Sequence, residues 1–167
     1  MMTIDLRPMT SEEFVPYEDA YAHHYAENMV RAGFWSSKKA FKKAKDIHAN
    51  LLTDNIDTKD HLFFVIEDTQ TKDSMGVIWL FIDRETEPPL GLIYDLLVHS
   101  PLRGRGLGKH AMLALEEKAK DLGIASLALN VFEDNTVAKA LYISLGYQIQ
   151  SLNMRKLLSA LEKNGAA

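Results

Sequence analysis

The segment Arg103-Gly104-Arg105-Gly106-Leu107-Gly108-Lys109 concentrates the residue types that hold a polyanion. Glycines tolerate positive φ, so successive backbone N–H groups can turn toward one point at the start of a following helix, and such a concavity favours an anion. Arg103, Arg105 and Lys109 add positive charge around it, which suits a diphosphate better than a single carboxylate. Spacing separates the glycine loops that work this way. A dinucleotide loop needs G-x-G-x-x-G, and counting from Gly104 puts Lys109 where the last glycine belongs. A Walker loop needs four residues between its first glycine and Gly-Lys, then Ser or Thr. Here Arg105, Gly106 and Leu107 intervene, and His110 follows.

A second feature is Asp95, a carboxylate inside the otherwise apolar run Gly91–His99. A carboxylate there requires an explanation, and the plain one is that neighbouring backbone or an arginine satisfies it. The chain has no cysteine, which removes disulfides, thiolate metal sites and a cysteine nucleophile. His23 and His24 lack H-E-x-x-H spacing and the other histidines are scattered, so no metal site is expected. The run Lys38 to Lys45 reads as the solvated face of an amphipathic helix, with contact to an acidic partner as the alternative.

These residues need elements to carry them. Thr3 to Arg7 alternates as a short strand, and Thr10 with Glu13 forms a capping box opening a helix in which Tyr17, Tyr21, His24, Tyr25 and Asn28 share a face. Pro16 falls in its first turns, and it ends near Gly33. Ser36 or Ser37 is expected to cap a second helix in which Ala40, Ala44, Ile47 and Leu51 share one face, with Phe41, His48 and Leu52 beside it. Leu62–Glu67 and Met75–Ile82 read as a hairpin, and Gly91–His99 as a further strand. The glycine loop opens a helix with Leu107, Ala111, Leu115, Ala119 and Leu122 on one face, stopped by Gly123. Ser126–Phe132 is a strand, Asp134 or Asn135 caps a helix ending at Gly146, and Tyr147–Gln150 and Leu152–Leu157 are expected as closing strands. The order implies an α+β fold in one domain over residues 1–167, with 158–167 as a tail.

Arg103, Gly106 and Gly108 match the acyl-CoA signature Arg/Gln-x-x-Gly-x-Gly/Ala, directly after the strand Tyr94–His99. The run Leu127–Asn135, then Ala138, Leu141-Tyr142 and Leu145-Gly146-Tyr147, looks like the second cofactor segment of the same group. Over Ile93–Tyr147 the chain thus resembles the GCN5-related N-acetyltransferase (GNAT) superfamily. The resemblance implies a mixed, mostly antiparallel twisted sheet of six to seven strands, splayed between strands 4 and 5 by a bulge at the end of strand 4, with about four helices. It implies acetyl-CoA as cofactor, held by Leu97, Val98, His99, Arg103, Gly104, Arg105, Gly106, Leu107, Gly108, Lys109, Asn130, Asn135, Ala138 and Tyr142.

In that family the Val98 position offers its backbone N–H to the thioester carbonyl, and the Tyr142 position is a general acid for the departing thiolate. A tyrosine in Leu-Tyr-Ile equally suits a core aromatic. An alkyl amine arrives protonated, so a base or water relay is implied, with Asp95 as candidate and Tyr94 as its substitute. Tyr25, Phe34, Trp35 and Tyr94 fall where the family walls its acceptor pocket, although ordinary packing accounts for them too.

The expected activity is transfer of an acetyl group to a primary amine of a small molecule or peptide by direct attack in a ternary complex, since no cysteine can carry it. A silent acyl-CoA sensor and a modifier of a protein acceptor are the alternatives. A net charge of -4 gives no general pull toward nucleic acid. The absence of a long apolar run argues against a membrane span. A cytoplasmic protein, with a homodimer as a mild preference, is expected.

Overall fold

The computed structural model describes residues 3–156 and 158. Its first turn is decided by Thr10 and Glu13, each side chain bonding the other's backbone N–H, so that α1 (Ser11–Arg31) starts directly after β1 (Ile4–Pro8). Arg7 then ties three elements together. It bonds Glu13 at 2.6 Å and Glu67 at 2.6 Å, and the Arg7 bond, helped by Thr10, holds the Glu13 carboxyl down at about 2. α1 is thereby fixed over the sheet, and it runs through Pro16 without ending.

The remaining elements follow the apolar pattern: α2 (Ala40–Leu51), β2 (His61–Asp68), β3 (Ser74–Asp83), β4 (Leu90–Val98), α3 (Leu107–Asp121), β5 (Ser126–Leu129) and α4 (Thr136–Ser144). The strands form one sheet in the order β1-β2-β3-β4-β5, antiparallel except for the parallel pair β4 and β5. Period-two alternation gives the sheet two buried faces. Ile78, Leu80 and Ile82 of β3 pack with Leu107, Ala111, Met112 and Leu115 of α3. Val77 and Trp79 face Phe14 of α1 and Phe63 of β2. α4 joins the α3 side through Tyr142 and Leu145. No helix among the described residues is long and apolar enough to cross a membrane.

Five expectations need correction. The sheet has five strands rather than six to seven. Residues 147–156 contain no strand, and the rest of the second closing segment, Leu157, lies outside the described residues. A strand needs a ladder, and this segment is tied by side chains instead: Tyr147 packs beside Tyr142, and Arg155 donates to the carbonyls of Ala32 and Gly33. Neither Ser36 nor Ser37 caps α2; the capping position is Lys39, with φ 65° and no side-chain cap. β5 stops at Leu129 instead of Phe132, because its pairing with β4 stops there. The bulge in β4 falls not at the strand's end but at Tyr94, the residue left over when Asp95 pairs with Trp79 and Ile93 with Leu80.

β3 and β4 come closest at Gly76, where an added Cβ would overlap the Leu97 carbonyl oxygen. Backbone cannot yield as a side-chain tip can. Gly76→Ala is therefore expected to lose about 1–3 kcal/mol of stability through overpacking, read as a lower urea midpoint. An unchanged midpoint would contradict this packing.

Candidate active site

The parallel ladder between β4 and β5 runs only from Leu90 with Ser126 to Ile93 with Leu129. From Tyr94 to Val98, β4 continues with β3 on one side and no strand on the other. The direction of each backbone group in this stretch follows from ladder alternation. His99 N–H donates to Met75 C=O at 3.0 Å, so the neighbouring pair Val98 and Gly76 is non-hydrogen-bonded, and the Val98 N–H and C=O point into the opening. The Val98 carbonyl there accepts from Arg103 Nε at 2.9 Å. Of the three positions expected at this edge, Leu97 and His99 turn their N–H groups to β3, and Val98 alone turns its own outward.

Beside this edge, a 3₁₀ turn at Ser100–Leu102 leads into the glycine loop. Gly104 and Gly106 have φ of 75° and 77°, and Gly106 starts α3 with no side-chain cap. The backbone N–H groups of residues 104–108 donate to no acceptor among the described residues, whereas those of Lys109 and His110 bond Gly106 C=O. The loop is a row of unspent donors at a helix N-terminus, with Arg105 and Lys109 exposed around it. A Cβ on Gly108 would come to 3.2 Å from Leu141, so α3 begins against α4. Asn135 spends its side chain on capping α4 through the Ala138 N–H, at 3.2 Å, and Asn130 is exposed just beyond β5.

Asp95 lies on the α1 side of the sheet, opposite Trp79. Tyr17 donates its hydroxyl to Asp95 Oδ2 at 3.0 Å. The residue keeps some solvent access, yet protein surrounds its carboxylate, and that desolvation raises its pKa from 3.8 to about 7 against the opposing bonds from Tyr17 and the Leu96 N–H. Tyr142 approaches from α4 on the other side of the sheet. Its pKa is raised by burial first and then by the charge of Asp95, so the two groups sense each other through the gap that β5 leaves. The sequence placed Asp95 and Tyr142 on separate elements; the parting of the strands brings them together.

Around Asp95 the rings form a continuous wall. Tyr17 and Tyr21 lie 6.0 Å apart, Tyr21 and Tyr25 stack at 6.1 Å, and Tyr25 meets Trp35 edge-on at 5.5 Å. Tyr21 also meets Trp79 at 5.1 Å, and Trp79 meets Tyr94 at 5.1 Å. Of the four expected acceptor-wall residues, Tyr25, Trp35 and Tyr94 belong to this wall. Phe34 is outside it, exposed beneath Arg155 at 4.5 Å. Two surface hollows, of about 530 and 370 Å³, open around the start of α2 instead of at the strand gap. The donors of residues 104–108, the Asp95 carboxylate and the Tyr142 phenol face the strand gap, and none of them lines either hollow, although Trp35 lines the larger.

The sequence marks Tyr17 and Tyr21 only as part of a helical stripe suited to core or pocket wall, and it does not single out Trp79, His48 or His61 as neighbours of this gap. The four-residue spacing of Tyr17, Tyr21 and Tyr25 was the available signal for α1, but nothing in it shows what the stripe faces. Trp79 donates to His61 Nδ1 at 3.0 Å, and burial lowers the pKa of both His61 and His48.

The chain matches the acetyltransferase (GNAT) family over residues 15–147. It is 36% identical to YycN and 33% identical to YdgE, both named as uncharacterized N-acetyltransferases of Bacillus subtilis (strain 168). Each alignment covers 94% of this chain, with 100% of YycN and 99% of YdgE. The crystal structure of B. subtilis YycN superposes with a TM-score of 0.89 at 35% identity, covering 94% of this chain and 99% of that one. The chain belongs to the GNAT family.

A carboxylate whose folded pKa lies above its unfolded value destabilises the fold as it ionises. Between about pH 4 and pH 7 the native state binds more protons than the unfolded state, so the Asp95 contribution to stability falls as pH rises through that window. Asp95→Asn should therefore gain on the wild type by on the order of 2 kcal/mol between pH 4 and pH 8, after discounting for residual solvent access. Urea unfolding at both pH values measures the difference, and a pH-independent gap would contradict the assignment.

Proposed function

We propose that this GNAT-family chain transfers an acetyl group from acetyl-CoA to a primary amine of a small molecule or peptide, by direct attack within a ternary complex. The observation that carries the reading is the row of unspent N–H donors at residues 104–108 beside the outward Val98 N–H. The donor set fits a diphosphate: backbone N–H groups turned by positive-φ glycines, a helix N-terminus, and the cations of Arg105 and Lys109. Arg103, with Nε on the Val98 carbonyl, braces the corner and has its terminal nitrogens left for phosphate. Acetyl-CoA, when bound, supplies an activated thioester and a thiolate leaving group.

The chain's own groups divide the remaining work. Val98 N–H donates to the oxygen on which negative charge develops, without a side chain. Tyr142, its pKa raised by burial, keeps its proton at neutral pH and holds it for the departing thiolate. Asp95 titrates near neutrality and takes a proton from the incoming ammonium, which loses it only reluctantly in water. Tyr21, Tyr25, Trp35, Trp79 and Tyr94 line the approach and favour an amine whose alkyl or peptide portion packs on rings.

Calorimetry with coenzyme A tests the cradle, and a complete absence of heat at millimolar ligand would refute it. Tyr142→Phe should lower kcat about 10²-fold or more with coenzyme A affinity unchanged. A rate within a factor of two of wild type would remove the tyrosine from the chemistry. With an amine that turns over, found by thiol release across polyamines, aminoglycosides, amino acids and peptides, kcat/KM should rise with pH through a limb near 7. Asp95→Asn should lose that limb along with most of its rate.

A further inference from the structure

We infer that Tyr17 is a positioning residue of this site, whose hydroxyl, bonded to Asp95 Oδ2 at 3.0 Å, orients the carboxylate and holds it in the charged form that accepts a proton. The inference rests on the reading of Asp95 as the base.

The groups facing Asp95 come from every element packed around it. They are Tyr17 and Tyr21 from α1, Trp79 from β3, Tyr142 from α4, and Tyr94 and the Leu96 N–H from its own strand. No cation is among them, and among the described residues no lysine or arginine stabilises the carboxylate. A carboxylate surrounded by protein without a counter-ion either takes up a proton or relies on hydrogen bonds to remain charged. Two such bonds oppose the desolvation: one from Tyr17 and one from the Leu96 backbone. The backbone bond is local to the strand and present whatever side chains surround it. Tyr17 is the side chain through which the fold controls this carboxylate.

The Tyr17 ring is itself held. It lies 6.5 Å from Phe14 and 6.1 Å from Phe63, and α1 is fixed at its start by the capping box and by Arg7. The phenol is thus delivered by packing that does not involve its oxygen, as a positioning donor requires. Burial and the Asp95 charge both raise the Tyr17 pKa, so it remains a donor and never a competing anion. In the reaction the ammonium loses a proton to Asp95, the carboxylate becomes a carboxylic acid, and the neutral amine attacks. Tyr17 keeps its own proton throughout.

The test needs neither cofactor nor acceptor. In the full chain with ¹³C-labelled aspartate, the Asp95 carboxyl resonance is the one missing from Asp95→Asn, and its shift is followed from pH 4 to pH 10. The wild type should titrate near 7. Tyr17→Phe keeps the ring and removes the donor, and should move the midpoint up by about one unit, a tenfold gain in proton affinity. If Tyr17→Phe does not fold, 3-fluorotyrosine at position 17 decides, since a more acidic phenol donates more strongly and should move the midpoint down. An Asp95 midpoint that stays put in the variant measured overturns the inference. Turnover by Asp95→Asn at the wild-type rate would sink the base reading alone and leave the Tyr17 coupling standing.

Discussion

The proposed site depends on two parallel strands that stop pairing. β4 and β5 share a ladder for four residues, and beyond Ile93 and Leu129 the β4 backbone must find other partners for the groups on its free side. The Val98 carbonyl finds Arg103, the Leu96 N–H bonds Asp95, and the Val98 N–H points into the opening. An unpaired edge inside a sheet is costly in a protein with nothing to bind there. Here the same opening admits groups from both faces, so a carboxylate packed under α1 and a phenol on α4 come within electrostatic reach. The extra residue at Tyr94 belongs to this arrangement, since a bulge bends a strand and re-aims the side chains that follow it.

Burial gives Asp95 its character and also its cost. Desolvation brings it toward neutrality, which suits a base working near pH 7 and weakens the fold as the group ionises. The rest of the domain is built to tolerate this. α3 packs one face with a mainly aliphatic cluster, and on the other face an aromatic wall surrounds Asp95 while one phenol reaches its oxygen. The network of Arg7, Glu13 and Glu67 lies far along α1 from its C-terminus, yet it sets the helix position from which Tyr17 reaches the sheet.

The glycine loop works by a different principle, because it is charged by geometry more than by side chains. Positive φ at Gly104 and Gly106 turns the chain so that its N–H groups stay outside any ladder or helix, and the absence of an N-cap side chain on α3 leaves the first turn open. A serine or aspartate at the capping position would have satisfied the helix and closed the anion site. The cradle therefore depends on a helix start left incomplete, next to a strand edge left incomplete.

How much of this was legible follows from the range of each interaction. The capping box at Thr10 and Glu13, the α3 stripe, the hairpin of β2 and β3, and the glycine spacing are local patterns, and a local pattern survives in one dimension. The glycine loop and the Leu127–Tyr147 segment carried the family likeness for the same reason. No strand forms in residues 147–156, because alternation there states which side chains could face inward but not whether an edge is there to pair with. Asp95 and Tyr142 were visible as residues with chemistry, while Tyr17 was visible only as one ring of a helical stripe. That its hydroxyl meets Asp95, 78 positions along the chain, depends on how α1 crosses the sheet, where the bulge falls and where β5 leaves. Composition and spacing determined the local elements and the glycine loop that carries the proposed anion cradle. The meeting of Tyr17, Asp95 and Tyr142 was decided by packing, since contacts between distant segments are set by the shape of the whole domain.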